Sequence, residues 1–268
     1  MMEPGCVNRY GPIAMTKSGD PDYVLSLARG LQVIEAFNDS PRGRTVSELS
    51  AATGLSRAAV RRLLITLEQL GYAQHDGAVH RLTTRILRLG FSYLSSTSLT
   101  SLAIPVLEQL SSRIHESCSV SVLDGDQIVY VARSASNRVM AVDLSVGSRL
   151  PAFCTSMGRV LLAGLPPADL RTFLKSAALK RMTPKTLTTQ SALLKVIDTA
   201  RDQGYALVDE ELEIGLRSIA VPVRSESGRI VAAMNTGVHA ARLSRTELTG
   251  RILPELRAYA HRLGQMLP

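Results

Sequence analysis

Three short segments near the start of the chain carry apolar side chains at helical spacing. Residues 26–37 form the first, with Ser26 placed to cap a helix and Asn-Asp-Ser-Pro at 38–41 to end it. The second, residues 46–53, is followed by Gly54, and glycine accepts the left-handed conformation that ends many helices. The third follows Ser56 and has one apolar stripe: Val60, Leu63, Leu64, Leu67 and Leu70. The pattern predicts three consecutive helices.

The segment after the third helix has the pattern of a β-hairpin. Strand-like runs at 72–74 and 79–82 flank Asp76-Gly77, a dipeptide suited to a tight turn. Two helices joined by a short glycine-containing turn and followed by a hairpin are typical of a winged helix-turn-helix. Thr84 can cap a further helix, which leads to the Ser/Thr-rich stretch at 95–98.

Helical and alternating patterns are mixed over the rest of the chain. An apolar stripe from Leu99 to Leu110 predicts a helix in which Pro105 marks a kink or restart. Alternation predicts strands over residues 119–123, 128–132, 139–144, 219–223 and 229–236, and helical spacing fits 157–163, 167–175, 191–203 and 244–266. Antiparallel strands with flanking helices indicate an α+β fold class.

These patterns divide the chain into four parts. We expect a flexible arm over residues 1–22, a winged helix-turn-helix domain over 23–83, a linker helix over 84–97, and a sensor-like α+β domain over 98–268.

The composition indicates a soluble globular protein. Hydrophobic residues make up 45% and charged residues 20% of the chain, and the mean hydropathy is +0.10. Because there is no apolar run long enough to span a bilayer and no secretory signal pattern, we expect a cytoplasmic location. Cys6, Cys118 and Cys154 lie too far apart for a disulfide framework or zinc motif, so the sequence predicts no metal or cofactor.

Positive charge is concentrated in the predicted helix-turn-helix. The chain has a net charge of +8, and residues 42–88 carry eight arginines against three acidic side chains. Such a patch favours double-stranded DNA, with base contacts from Arg57 and Arg61 and a phosphate contact from Arg62. The predicted DNA-binding residues are Thr45, Ser56, Arg57, Ala58, Arg61, Arg62, Arg81 and Arg85. A solvated helix face is the alternative for the arginines of the third helix.

The segment at 147–158 has the features of an anion site. It runs from a loop into a helix, so free backbone amides, the Thr155 and Ser156 hydroxyls and the Arg149 charge can together bind a carboxylate. Ordinary capping of the helix by Thr155 or Ser156 is the alternative. Arg133, at the end of a strand, is a second carboxylate candidate.

An acidic cluster follows the fourth predicted helix of this domain. Asp209 or Glu211 can accept a hydrogen bond from a ligand hydroxyl if the cluster lines a pocket, and a solvated turn is the alternative. Ser218 and Asn235 offer further polar anchors. An enzyme has little support, since Ser156 lies in no GxSxG motif and no histidine accompanies Cys154 in sequence.

Several stretches resemble the IclR-type bacterial transcriptional regulators, from about residue 26 to the C-terminus. They are Leu-Ala-Arg-Gly-Leu at 27–31, Gly-Leu-Ser-Arg-Ala-Ala-Val-Arg-Arg-Leu-Leu at 54–64, Leu-Glu-Gln-Leu-Gly-Tyr at 67–72, the segment at 147–164, and Asp-Glu-Glu-Leu-Glu-Ile-Gly-Leu-Arg-Ser-Ile-Ala-Val-Pro-Val at 209–223. Within that family the segment from Arg149 to Gly158 is most similar to regulators of aromatic-acid catabolism, the β-ketoadipate pathway group.

The resemblance implies a winged helix-turn-helix, a GAF-like effector domain, and dimers that pair into tetramers on DNA. It also implies that the 147–158 loop, Asp209 and the strands near Ser218 and Asn235 surround a small carboxylate effector. With the candidates from the residues themselves, the predicted effector-binding residues are Arg133, Arg149, Phe153, Thr155, Ser156, Met157, Asp209, Glu211, Ser218 and Asn235. We therefore expect a ligand-responsive regulator, which can be either an activator or a repressor. A ligand-independent DNA-binding protein and an enzyme acting on an anionic substrate are the alternatives.

Overall fold

The structure is a computed structural model that describes residues 22–37, 40, 42–90, 98–135 and 144–267. The chain divides into two compact units, residues 1–93 and 94–268. Three expectations lie outside the described residues: the arm before residue 22, the second half of the linker helix at 91–97, and most of the strand at 139–144.

The first unit has three helices around a small core. They are α1 (Leu25–Glu35), α2 (Val46–Thr53) and α3 (Arg57–Gln69). Val33, Leu49, Val60 and Leu64 are buried between them, and the apolar stripe of the third segment predicts the last two. The prediction that Ser26 caps α1 was wrong, since the helix already begins at Leu25 and no side chain caps it.

Side-chain caps fix the ends of α2 and the start of α3. The Thr45 side chain accepts from the Glu48 backbone N–H at 3.3 Å, and the Glu48 carboxylate accepts from the Thr45 N–H at 2.7 Å. The hydrogen bonds that the Thr45 backbone N–H and hydroxyl donate to the Glu48 carboxylate hold the pKa of Glu48 below its usual range. Gly54 ends α2 in the left-handed conformation, and Ser56 caps α3 by accepting from the Ala59 N–H at 3.3 Å.

A three-stranded antiparallel sheet forms the wing. Its strands are β1 (Arg44–Thr45), β2 (Ala73–Asp76) and β3 (Val79–Leu82), in the order β1-β3-β2. The predicted hairpin is present, whereas the short β1 was not predicted. A 3₁₀ turn (Thr84–Ile86) and helical residues 87–90 follow, capped by Thr83 and not by Thr84 as expected.

The second unit is built on a six-stranded antiparallel sheet. The strands are β4 (Cys118–Asp124), β5 (Gln127–Ser134), β6 (Arg149–Pro151), β7 (Ala206–Asp209), β8 (Leu216–Arg224) and β9 (Ile230–His239). Their order is β6-β5-β4-β9-β8-β7. The sequence predicted β4, β5, β8 and β9, but it missed the short β6 and β7.

Helices lie before, between and after these strands. They are α4 (Ser98–Ile114), α5 (Ser156–Ala163), α6 (Pro167–Ser176), α7 (Gln190–Gln203), α8 (Arg245–Glu247) and α9 (Leu253–Gln265). The helix α4 runs through Pro105 without a restart. A 3₁₀ turn (Ala152–Cys154) precedes α5, and a π-helical turn (Leu248–Ile252) joins α8 to α9.

The sheet separates two apolar layers. One face packs with α4 and α9 around residues such as Leu107, Met234 and Leu256. The other face packs with α5, α6 and α7 around residues such as Met157 and Ile197. Among the described residues, no helix combines the length and the apolar character that crossing a membrane requires.

Candidate functional site

One face of α3 presents arginines to solvent. Arg57, Arg61 and Arg62 are exposed, on the side of the helix away from the buried Val60 and Leu64. No ion pair or hydrogen bond joins their guanidinium groups to another described residue. The face therefore carries three charges whose donors are available to an external anion.

The residues that lead into α3 divide into free and occupied groups. Ala58 is exposed beside Arg57, and Ser56 is exposed although its oxygen caps the helix. The Thr45 hydroxyl is part of the α2 cap, where it also donates to the Glu48 carboxylate at 2.8 Å. Thr45 therefore orients α2 and has little capacity left for a direct contact.

Two further predicted arginines lie on or beside the wing. Arg81 of β3 donates from Nε to the Arg42 carbonyl at 3.2 Å. The Arg85 guanidinium lies 5.5 Å from the centre of the Tyr72 ring, a cation–π arrangement that leaves its N–H donors exposed. Both side chains add positive charge next to the α3 face.

A cavity lies in the second unit between the sheet and the start of α5. It contains about 610 Å³ of space not filled by atoms, its opening to solvent included. Polar and apolar residues both line it: Ser117, Ser119, Tyr130, Arg133, Leu144, Leu150, Cys154, Thr155, Ser156, Met157, Val208, Leu212, Leu216, Ser218, Asn235 and Gly237. Six of the predicted effector residues are in this set: Arg133, Thr155, Ser156, Met157, Ser218 and Asn235.

Strand register explains the polar side of the cavity. Arg133 of β5, Ser119 of β4 and Asn235 of β9 lie opposite one another across three neighbouring strands. Arg133 donates to the Ser119 hydroxyl at 3.3 Å, and it is the cationic residue among the described cavity lining. The sequence analysis missed Ser117, Ser119 and Gly237, because their position depends on the order of the strands.

The amino end of α5 forms another part of the wall. The Thr155 oxygen caps the helix by accepting from the Gly158 N–H at 3.1 Å, so capping, the alternative weighed from the sequence, holds for Thr155. The Ser156 hydroxyl is buried, and no described residue pairs with it. A Cβ on Gly158 would lie 2.0 Å from the Ala152 carbonyl oxygen, so glycine is needed for this close turn.

Burial keeps two titratable groups of the lining uncharged. It raises the pKa of the Cys154 thiol to about 12 and raises the pKa of the Tyr130 hydroxyl above its usual range. Near neutral pH, therefore, Cys154 is a thiol and not a nucleophilic thiolate. Tyr130 is a neutral phenol that can both donate and accept a hydrogen bond.

Arg149 does not reach the cavity, contrary to the sequence-based expectation. Its Nε donates to the Gln127 amide oxygen at 2.8 Å, and its NH2 group pairs with the Asp124 carboxylate at 2.5 Å. Phe153 is also outside the lining, since its ring is buried in the apolar layer beneath α5. Both residues belong to the wall's supporting structure.

Asp209 and Glu211 are also outside the lining, because each carboxylate has an arginine partner. Asp209 accepts two hydrogen bonds from Arg217, at 2.8 and 3.0 Å, which hold the pKa of Asp209 below its usual range. Glu211 accepts from the buried Arg159 at 2.6 Å. The two pairs hold the 210–215 loop, which places Leu212 against the cavity.

Comparisons with known proteins give one matching family domain for each unit. The model of the IclR helix-turn-helix domain matches residues 26–77, and that of the bacterial transcriptional regulator IclR C-terminal domain matches residues 91–265. The chain is 49% identical to the Pca regulon regulatory protein of Pseudomonas putida over 251 residues, which cover 93% of this chain and 86% of that protein.

Two solved structures extend this likeness. The crystal structure of a transcriptional regulator from Rhodococcus sp. RHA1 is 48% identical, with a TM-score of 0.80, over 91% of this chain and 98% of that one. A double mutant of the PobR inducer-binding domain from Acinetobacter, in complex with 3-hydroxybenzoic acid, is 35% identical, with a TM-score of 0.59, over 62% of this chain and 98% of that one. The matched domains, together with the exposed arginine helix, show that this chain is a regulator and not an enzyme, and that it belongs to the IclR family of bacterial transcriptional regulators.

Proposed function

We propose that this regulator binds an operator through α3 and a small aromatic carboxylate, of the hydroxybenzoate kind, in the cavity of its second unit. The observation that carries the ligand part is the meeting of Arg133, the amino end of α5 and the unpaired Ser156 hydroxyl around one cavity.

A positive charge and several hydrogen-bond donors of the cavity can bind the carboxylate of the ligand. The Arg133 guanidinium supplies a fixed positive charge, and its only hydrogen bond to a described residue goes to the neutral Ser119 hydroxyl. The first amides of α5 carry the positive end of the helix dipole. The buried Ser156 hydroxyl loses free energy without a partner, and a ligand oxygen would supply one.

The apolar side chains of the lining can pack against the aromatic ring of the ligand. Leu150, Met157, Leu212 and Leu216 offer side chains that pack against a ring, and the Met157 sulfur also accepts from Ser121 at 3.1 Å. A ring hydroxyl has neutral partners in Tyr130 and in Asn235, whose amide forms no side-chain hydrogen bond with a described residue. The related inducer-binding domain of PobR, crystallised as a double mutant in complex with 3-hydroxybenzoic acid, supports this class of ligand.

The exposed arginine face of α3 is the surface that contacts the operator in this proposal. A helix with exposed Arg57 and Arg61 fits the major groove, where arginine pairs with guanine O6 and N7, while Arg62, Arg81 and Arg85 contact phosphates. In a dimer, two such helices read half-sites about 34–36 Å apart, or a multiple of this spacing. A ligand that favours one dimer arrangement would shift operator affinity by a coupling of about 1–3 kcal/mol.

Calorimetric titration of the full chain with 4-hydroxybenzoate tests the ligand part. We expect Arg133→Ala to weaken binding at least roughly tenfold, because a charge-assisted hydrogen bond is worth about 1.5–3 kcal/mol. Arg149→Ala is the matched control, since it removes a nearby arginine of the same sheet that is outside the lining. Equal affinities of wild type and Arg133→Ala would overturn the proposed site.

A further inference from the structure

Two histidines and a glutamate meet where the wing packs against α3. Glu68 is in the last turn of α3, His75 is in β2 and His80 is in β3. One Glu68 carboxylate oxygen lies 2.8 Å from His80 Nδ1 and 3.2 Å from His75 Nδ1. The two rings are 5.7 Å apart, centre to centre.

Backbone structure holds these three side chains on the same side. His75 and His80 are register partners across the hairpin, two positions along each strand from the partners Ala73 and Leu82. Since alternate residues of a strand share a face, the histidines point as Ala73 does, towards the core beside α3. The register of the β2–β3 hairpin, and the point at which β2 begins after α3, therefore bring the three side chains together.

We propose that Glu68, His75 and His80 form a binding site for a divalent transition-metal ion, for which Zn²⁺ is the expected occupant. Two imidazoles and one carboxylate are a ligand set that zinc accepts. In a tetrahedral zinc site with bonds of about 2.0–2.1 Å, the ligand atoms lie roughly 3.3–3.5 Å apart. The two nitrogen-to-oxygen distances are close to this separation, so small side-chain movements suffice.

The exposure of the three side chains is also suitable for an ion that enters from solvent. The His80 and Glu68 side chains are mostly buried, at 14% and 21% exposure, whereas the His75 side chain is 57% exposed. The site thus has two held ligands and one accessible ligand, with room for water as a fourth. Zinc binds a ring nitrogen that carries no proton, so binding through each Nδ1 would leave the imidazole proton on Nε2.

The bound ion would join three elements of the DNA-binding unit. Glu68 is seven residues after Arg61 on the same helix, and the histidines come from β2 and β3 of the wing. A shared ion would therefore reduce the motion of the wing relative to the arginine face of α3. The site does not depend on the ligand cavity of the second unit.

Cobalt and zinc titrations of the full chain, after removal of metals with a chelator, test this proposal. We expect about one Co²⁺ per chain, with the visible absorption of nitrogen and oxygen ligands, and its displacement by Zn²⁺. His75→Ala changes an exposed side chain and should abolish this binding, as should Glu68→Gln. His261→Ala, which changes an exposed histidine of α9, is the control and should bind like the wild type.

Hydrogen exchange gives a second readout that does not depend on DNA. Zinc should slow exchange of the amides of β2 and β3 in the wild type and leave them unchanged in His75→Ala. Wild-type protein that binds no cobalt, or a His75→Ala/Glu68→Gln variant that binds it equally well, would overturn the proposal.

Discussion

Arginine side chains have opposite surroundings in the two units of this regulator. In the first unit, Arg57 and Arg61 extend from α3 without a partner among the described residues. In the second unit, Arg149, Arg159 and Arg217 are each paired with a carboxylate of the same unit. An unpaired arginine on a helix face can bind an external anion, whereas a paired one holds distant segments together.

This contrast identifies the arginine that is suited to a ligand in the second unit. Arg133 lines the cavity, and its only hydrogen bond to a described residue is to a neutral hydroxyl. Its surroundings are therefore closer to those of the α3 arginines than to those of Arg149.

The buried pair of Arg159 and Glu211 should contribute most to stability. Glu211→Ala leaves a 3% exposed guanidinium without its carboxylate, so we expect a loss of about 3–5 kcal/mol in the free energy of unfolding. Urea unfolding measures it. Asp198→Ala, which removes an exposed partner of Arg201, is the control and should cost less than about 1 kcal/mol. Similar losses in both variants would contradict the assigned role.

The pair of Asp209 and Arg217 should make stability depend on pH. Because Arg217 lowers the pKa of Asp209, the pair stabilises the folded state above the usual aspartate pKa, and this contribution is lost as the pH falls through the lowered value. We expect Asp209→Asn to cost about 1.5–3 kcal/mol at neutral pH. The difference between wild type and variant should shrink in acid; a difference independent of pH would count against it.

The arginines of α3 and of the wing should differ in what they contribute to DNA binding. Arg61→Ala should weaken operator binding by about 1–3 kcal/mol and relax base preference. Arg85→Ala should weaken operator and random duplex alike and reduce the salt slope by about one. Gel-shift titrations at several salt concentrations measure both effects. Equal losses on the two duplexes for Arg61→Ala would refute its base contact.

Arg149→Ala should have the smallest effect. Its partner Asp124 is 62% exposed, and an exposed ion pair contributes at most about 1 kcal/mol to stability. Affinity for 4-hydroxybenzoate should remain within roughly twofold of wild type by calorimetry, since less than about 0.5 kcal/mol is at stake. A large loss of ligand affinity would show that Arg149 contacts the ligand, which its position outside the cavity lining contradicts.

The sequence predicts features that depend on neighbouring residues. Ser56 and Gly54 mark the ends of helices, the spacing from Val60 to Leu67 identifies the buried stripe of α3, and Asp76-Gly77 marks the hairpin. Each signal lies within a few positions of the structure that it determines, and periodicity distinguishes the buried face from the arginine face.

Contacts between distant segments were not predictable in this way. Arg159 and Glu211 are 52 positions apart, and Arg149 and Asp124 are 25 apart, so nothing local shows that these charges are already paired. Ser119 enters the cavity because β4 lies between β5 and β9, an order that alternation alone does not specify. The sequence and the family resemblance supplied six of the lining residues, but not those, such as Ser119, whose place depends on the strand order.

We propose that free arginines bind separate anions in the two units, and one pair of variants distinguishes the two contacts. Arg61→Ala and Arg133→Ala are each titrated with operator DNA and, separately, with 4-hydroxybenzoate. We predict that Arg61→Ala loses operator affinity and keeps wild-type ligand affinity, while Arg133→Ala shows the reverse. Loss of both affinities in either variant, or of neither in Arg133→Ala, would contradict the account.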